Sequence, residues 1–155
     1  MVYHCFGEDK LNHNNKRNLR NTPKLIYNCG GYALGCFSWY CPRETDVFYY
    51  GFDSHEEARE KTDYCVKCML ADFPTLRVIA SLDEVAPDEY PILFRLSHDG
   101  DFHYLKRADN GIWYNKMGSC SMIEIMPKDR IFNIWYKRYD GPIIIFAKKK
   151  IAVDK

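Results

Sequence analysis

Cys29 is the cysteine whose sequence context suits chemistry. It follows Asn28 and precedes two glycines, where an apolar run gives way to a predicted helix. Asn28 can cap that helix, because its side-chain oxygen can accept a hydrogen bond from a first-turn amide. A helix start lowers the pKa of a nearby thiol, and its unpaired amides can stabilise an oxyanion. We therefore expect Cys29 to be a nucleophile that alkylates faster than the other cysteines, beside an oxyanion and substrate pocket formed by Tyr27, Asn28 and Gly30. Tyr27 could equally be a core residue.

A cysteine nucleophile also needs a base, and His103 is the best placed of the five histidines. It lies in the stretch GDFHYLKR, which is predicted to be a strand. A strand holds a side chain in a fixed direction, as a general base requires. The remaining histidines fall in a polar lead-in, at a predicted helix start or in a turn. The imidazole of His103 would accept the thiol proton and later donate it to a leaving group.

A third polar group must orient the imidazole, and Asn115 is the main candidate. It follows His103 across the triplet DNG, which is a strong hairpin signal. A turn centred on that triplet places His103 opposite residue 118, about three positions from Asn115. The orienting group is therefore Asn115 or a neighbour, and His98 and Asp101 are weaker candidates.

Each of these residues also has a structural interpretation. Cys29 can be a small buried hydrophobic residue, because many buried cysteines are chemically inert. His103 can be a strand residue whose nitrogens are satisfied locally, and Asn115 can be an ordinary polar residue of a hairpin.

Two close pairs of cysteines raise the question of a metal. Cys65 and Cys68 form a C-x-x-C motif, and Cys36 and Cys41 form the second pair. Four cysteines can bind zinc, but this C-x-x-C lies inside a predicted helix with no second C-x-x-C at the usual distance. A thioredoxin-like redox site would need a strand leading into the motif. We therefore expect no metal and no cofactor.

The elements that must position these residues are predicted to be helices followed by a sheet. Residues 1–22 are a polar, loosely ordered lead-in, and a first helix spans 29–37. A second helix begins at the capping box of Ser54 and ends before Pro74. An antiparallel sheet of about five strands follows, which makes the domain α+β. Its strands lie in PILFRLS, FHYLKRA, IWYNKMG and a last hairpin of RIFNIWYKRY with IIIFAKK, after a short strand in TLRVIA.

Length and composition predict one globular domain over residues 1–155. The chain is 46% hydrophobic and 28% charged, and its net charge is +1. This charge does not favour nucleic acid, and no apolar run approaches the ~20 residues of a membrane span. The first fifteen residues lack the apolar core of a signal peptide, so we expect a cytoplasmic location in the producing cell unless another route exports the protein. Residues 148–155 are predicted to form a basic tail, and the oligomeric state is left open.

The stretches NCGGYAL and GDFHYLKRADNGIWYNKMGS together resemble a pattern in bacterial and phage proteins of the papain-like cysteine hydrolase superfamily. That broader group includes the NlpC-type and CHAP-type amidases. The shared features are an N-C-x-x-Y-A-L helix start, a D-x-H strand, a D/N-G turn and a tryptophan followed by a polar pair and K-x-G. The match covers under a third of the chain. The double glycine after Cys29 departs from the pattern, because relatives often carry a bulkier second residue there.

This resemblance implies a papain-like fold and a Cys-His-polar triad. Cys29 would be the nucleophile, His103 the base and Asn115 the orienting residue, a position that relatives often fill with histidine. The substrate would be a peptide or protein amide, and deamidation or acyl transfer would use the same groups. The alternative is a catalytically inactive interaction protein on the same fold, for example a phage or pathogen factor that binds a host protein.

Overall fold

The computed structural model describes residues 27–117, 122–133, 135 and 139–150. The predicted lead-in over residues 1–22 and residues 151–155 of the predicted tail lie outside this part. Within it, helices precede an antiparallel sheet, which confirms the α+β class. No helix in the described part is long and apolar enough to cross a membrane.

Helix α1 spans Cys29–Ala33 and is shorter than predicted. Asn28 caps it as expected, because its Oδ1 accepts a hydrogen bond from the amide of Gly31 at 3.0 Å. Gly35 then takes a φ of 75°, a left-handed conformation that cannot continue a helix and that glycine adopts readily.

Helix α2 spans His55–Asp72, which confirms the predicted start at Ser54 and the stop before Pro74. The hydroxyl of Ser54 accepts a hydrogen bond from the amide of Glu57 at 3.1 Å. The Glu57 carboxylate in turn accepts from the amide of Asp53 at 3.0 Å. The helix is held by a buried face made of Ala58, Thr62, Cys65, Cys68 and Met69.

Within the described residues, six strands form one antiparallel sheet in the order β1-β6-β2-β3-β4-β5. Strand β5 is three residues long and was not predicted. A single turn of 3-10 helix, Leu82–Glu84, connects β1 to β2. The strands are β1 Leu76–Ile79, β2 Glu89–Leu96, β3 Phe102–Arg107, β4 Trp113–Lys116, β5 Ile123–Ile125 and β6 Ile144–Lys149.

The predicted hairpin between RIFNIWYKRY and IIIFAKK is wrong. Strand β6 lies between β1 and β2, where Ile145 pairs with Ile79 on one side and Leu93 on the other. In the described part of the supposed partner, only an isolated bridge between Trp135 and Tyr139 has β geometry. The continuous apolar run of β6 suits a central strand covered on both faces, and hairpin reasoning alone does not detect that placement.

The basic tail does not begin at residue 148, because Lys148 and Lys149 belong to β6. Lys148 is buried, and its ammonium lies 5.8 Å from the centre of the Phe73 ring. Its long aliphatic stem can cover apolar surface, so a lysine run does not by itself indicate a solvated tail.

The sheet buries residues on both faces, and alternation along β3 separates the two cores. Phe102 and Tyr104 belong to the cluster that packs under the two helices. Leu105 belongs to a second cluster on the other face, together with Trp135 and Tyr139. His103 has the same strand parity as Leu105, and its ring contacts this second cluster.

Candidate active site

The pairing between β3 and β4 ends beside α1. The ladder between β3 and β4 contains two pairs, Lys106 with Tyr114 and Arg107 with Trp113, although β4 continues to Lys116. Helix α1 contacts both strands at the point where their pairing ends. The backbone of β3 ahead of Lys106 is therefore available to the start of α1.

Cys29 occupies this opening. Its side chain is buried, and its Sγ donates a hydrogen bond to the carbonyl of Phe102 at 3.9 Å. The backbone amide of Tyr104 also interacts with the sulfur as a hydrogen-bond donor, which lowers the pKa of the thiol. The sulfur thus lies against the backbone of the two residues that flank His103, and its hydrogen bond goes to Phe102 and not to the imidazole.

His103 and Asn115 are joined directly. His103 Nε2 and Asn115 Oδ1 are 3.2 Å apart, and the two residues are 1% and 0% exposed. Asn115 Nδ2 donates to the carbonyl of Glu124 in β5, so its Oδ1 is the atom that faces the ring. An amide oxygen can only accept, which assigns a proton to Nε2, so in the neutral ring the lone pair lies on Nδ1.

The hairpin register explains how this pair forms. The observed pairing of Lys106 with Tyr114 differs by one residue from the predicted turn-centred register. His103 and Asn115 are consequently diagonal neighbours on one face of the two strands, within reach of each other. The prediction that Asn115 or a neighbour contacts His103 therefore has a geometric basis, although residue 118 lies outside the described part.

Two aromatic rings hold the imidazole in place. The Tyr139 ring stacks on His103 with centroids 5.1 Å apart, and the Trp135 ring approaches edge-on at 6.2 Å. Sequence reasoning missed both residues, because they follow β5 and reach His103 only through tertiary packing.

Asp101 lies beside this arrangement and was only a weaker candidate. Its Oδ2 accepts a hydrogen bond from the hydroxyl of Tyr139 at 3.0 Å, and its Oδ1 accepts from the amide of Phe102 at 2.8 Å. The D-x-H spacing could have indicated that Asp101 lies near His103, since alternate residues of an extended chain share a face. His98, the other weaker candidate, pairs instead with Asp140 at the surface, 2.9 Å away.

The pKa of Cys29 moves in the opposite direction from the sequence expectation. Burial raises the pKa of the thiol to about 12, and the negative charge of Asp101 adds to the effect. The amides of Tyr104, Gly30 and Cys29 itself lower the pKa, but by less than burial raises it. The expectation of a lowered pKa is therefore wrong for this arrangement, and faster alkylation of Cys29 than of the other cysteines stays a prediction. Nucleophilic attack would require a base to remove the proton as the reaction proceeds.

The predicted pocket residues have distinct roles. Asn28 uses its side chain structurally, since Oδ1 also accepts from the amide of Tyr40 at 3.1 Å and Nδ2 donates to its carbonyl at 2.7 Å. Tyr27 is buried, and the ammonium of Lys116 lies 4.9 Å from its ring centre. Gly30 contributes an amide that favours negative charge at the sulfur, as an oxyanion donor would.

The double glycine has a packing explanation. A Cβ on Gly31 would lie 1.9 Å from the carbonyl oxygen of Ser38, which leaves no room for a side chain. A Cβ on Gly30 would lie 3.1 Å from both the Tyr104 ring and the carbonyl of Tyr40. The glycines allow α1 to lie against the segment that follows it.

The other cysteines do not form a metal site in the described part of the chain. Cys65 and Cys68 are buried on α2, where they face the core. Among the described residues, no three histidine, cysteine or acidic side chains are arranged to hold a metal ion.

Comparison with protein families, curated proteins and solved structures found no match to this chain. The fold and the site therefore define the protein only as an α+β domain with a buried histidine–asparagine pair beside a helix-borne cysteine.

Proposed function

We propose that the protein is a cysteine-dependent amide hydrolase of papain-like type. Cys29 is the nucleophile, His103 the general base and acid, and Asn115 the residue that orients the imidazole. The observation that supports this best is the buried hydrogen bond of 3.2 Å between His103 and Asn115. Cys29 lies against the backbone on either side of that histidine, at the start of a helix.

The reaction begins with a protonated thiol. Cys29 packs in the cluster under the helices, whereas the His103 ring contacts the cluster on the other face of the sheet. The reaction therefore requires that binding of a peptide or protein amide brings the Cys29 side chain past the unpaired edge of β3, where Nδ1 takes the thiol proton. The sulfur forms a bond to the amide carbon, and the carbonyl oxygen becomes an oxyanion. The amides of Cys29 and Gly30 stabilise that charge.

The second half releases both products. The imidazolium of His103 donates its proton to the amide nitrogen as the carbon–nitrogen bond breaks, which leaves a thioester on Cys29. His103 then removes a proton from a water molecule that attacks the thioester. The acid product leaves and the thiol recovers its proton. Asn115 accepts from Nε2 throughout and keeps the ring in one tautomer.

A peptide-library experiment in H₂¹⁸O tests this function on many amide sequences at once. Hydrolysis is expected to give new peptide termini carrying ¹⁸O, whereas deamidation would place ¹⁸O in a new side-chain carboxylate. Acyl transfer would form a new amide without ¹⁸O. Cys29→Ala should abolish every product, and Cys36→Ala serves as a matched control that should retain them. Identical products from wild type and Cys29→Ala would exclude Cys29 as the nucleophile.

A second candidate is a catalytically inactive interaction protein on the same fold. The raised pKa of Cys29 and its hydrogen bond to the Phe102 carbonyl favour this alternative, because both describe an unreactive thiol. In that case no labelled product would form with any peptide, and Cys29→Ala would keep its protein partner.

A further inference from the structure

A cavity of about 320 Å³ lies at the far end of α1 from Cys29. Gly35 and Phe37 form one side, and Tyr90 with residues 106–109 of the β3–β4 hairpin forms another. Phe37 is 48% exposed, which is high for a large apolar residue. The five-residue helix measures only ~8 Å, so the cavity is close to the candidate active site but distinct from it.

Lys106 is the unusual residue of this cavity. Its ammonium lies 4.6 Å from the centre of the Tyr90 ring and 5.3 Å from that of Tyr32. It makes no ion pair or hydrogen bond with any residue that the structure describes, although an ammonium carries three donors. Burial, and then the nearby charge of Lys148, lower the pKa of Lys106, and the charge of Asp109 raises it by less. A ligand with a negative charge would give this half-buried ammonium the acceptor that no described residue supplies.

Two other cations and one carboxylate also line the cavity. Lys150 forms an ion pair of 2.9 Å with Asp109, the acidic residue among the cavity-lining side chains. The guanidinium of Arg107 lies 5.8 Å from the centre of the Trp113 ring. Asp109 thus balances Lys150, whereas Lys106 and Arg107 have no ion pair with any residue that the structure describes, so the positive charge of the cavity suits an anion.

We propose that this cavity binds an organic carboxylate whose apolar body lies against Phe37 and Tyr90 and whose carboxylate accepts hydrogen bonds from Lys106. The terminal residue of a peptide has this chemistry. The two aromatic walls provide apolar contact area, and Lys106 provides charge-assisted hydrogen bonds. The site does not depend on the chemistry proposed for Cys29.

Titration with N-acetylphenylalanine, followed by amide chemical shifts of Gly35 and Ala108, tests the proposal. The neutral N-acetylphenylalaninamide is the matched ligand. We expect the carboxylate to bind at least about tenfold more tightly, because the lost interaction is a hydrogen bond to a charged group. Equal affinity for the two ligands would overturn the proposal, and this comparison needs no variant.

Variants then locate the site. Lys106→Met keeps the aliphatic stem between the two rings and should remove the preference for the carboxylate, whereas Lys106→Arg should retain part of it. Lys67→Met, an exposed lysine on α2, should bind like wild type. An unchanged preference in Lys106→Met would contradict the role of Lys106. Stronger binding of phenyl phosphate than of N-acetylphenylalanine would show that the site recognises phosphate, and would overturn the assignment of a carboxylate ligand.

The same titration with Cys29→Ala separates this site from the catalytic proposal. We expect unchanged affinity, because the ligand does not reach the thiol. Loss of binding in Cys29→Ala would show that the carboxylate occupies the candidate active site instead.

Discussion

At the residue scale, the contact between His103 and Asn115 is the strongest indication of a functional site. A buried histidine can be satisfied by any acceptor, but here the acceptor is itself fixed by its bond to Glu124 in the next strand. Stacking by Tyr139 removes the remaining freedom of the ring. Such preorganisation is what a general base requires, and it also stabilises the fold.

Asn115→Ala should lower the free energy of unfolding by about 1 to 3 kcal/mol, because it leaves the buried Nε2–H of His103 without its acceptor. Urea denaturation measures this change. Asn133→Ala is the matched control, since Asn133 is exposed and its side chain donates to the nearby Asp129 carbonyl. A loss no larger than that of the control would contradict the contact.

Sequence reasoning reached the three candidate residues because each has a local signature. Asn28 marks the helix that begins at Cys29, alternation marks the strand of His103, and the DNG turn brings Asn115 back toward it. The raised pKa of Cys29 could not be predicted from local sequence. It depends on burial against β3 and on Asp101, and both depend on tertiary packing.

At the element scale, α1 depends on close contact with the segment that follows it. Asn28 makes two hydrogen bonds to Tyr40, and Gly31 lies against the Ser38 carbonyl. These contacts hold a helix that is too short to be stable alone.

Gly31→Ala should destabilise the protein by about 1 to 3 kcal/mol, because its methyl group would overlap a backbone oxygen that cannot rotate away. Thermal unfolding measures the loss. Gly111→Asn is the control: its position is open to solvent, and asparagine tolerates the φ of 80° found there. If Gly31→Ala were as stable as wild type, α1 would not lie where the structure has it.

Elements that local sequence patterns define were predicted well. Elements whose position depends on pairing with distant strands were predicted poorly. Helix α2 has an N-cap serine and a terminal proline, and β2 to β4 have alternation and turns. The placement of β6 between β1 and β2 has no local signature. Strand β5 is only three residues long, too short for a periodic pattern to be detected.

At the scale of the whole molecule, one ion pair ties together strands on either side of β6. Arg77 in β1 donates two hydrogen bonds to the Glu89 carboxylate at the start of β2, at 2.9 and 2.8 Å. This bidentate contact, followed by the amide of Ala86, lowers the pKa of Glu89 to about 2.

The lowered pKa predicts acid sensitivity. A carboxyl with a depressed folded-state pKa stabilises the protein above its unfolded value of 4.5, and this contribution is lost as pH falls toward about 2. Glu89→Gln should therefore be less stable than wild type at neutral pH, with a difference that shrinks through that window. Urea midpoints against pH measure it. A difference that does not change with pH would contradict the ion pair.

The central claim concerns the whole site, namely that His103 acts on the thiol of Cys29. The most direct measurement is the rate of Cys29 alkylation by iodoacetamide against pH, with Cys36 in the same samples as an internal reference. In wild type we expect a step in the rate as the imidazole of His103 loses its proton, well below the pKa of about 12 of the thiol. His103→Gln should lack that step and show only a rate that climbs as the thiol itself ionises. The same profile in both proteins would mean that His103 does not act on Cys29, and the hydrolase proposal would fail.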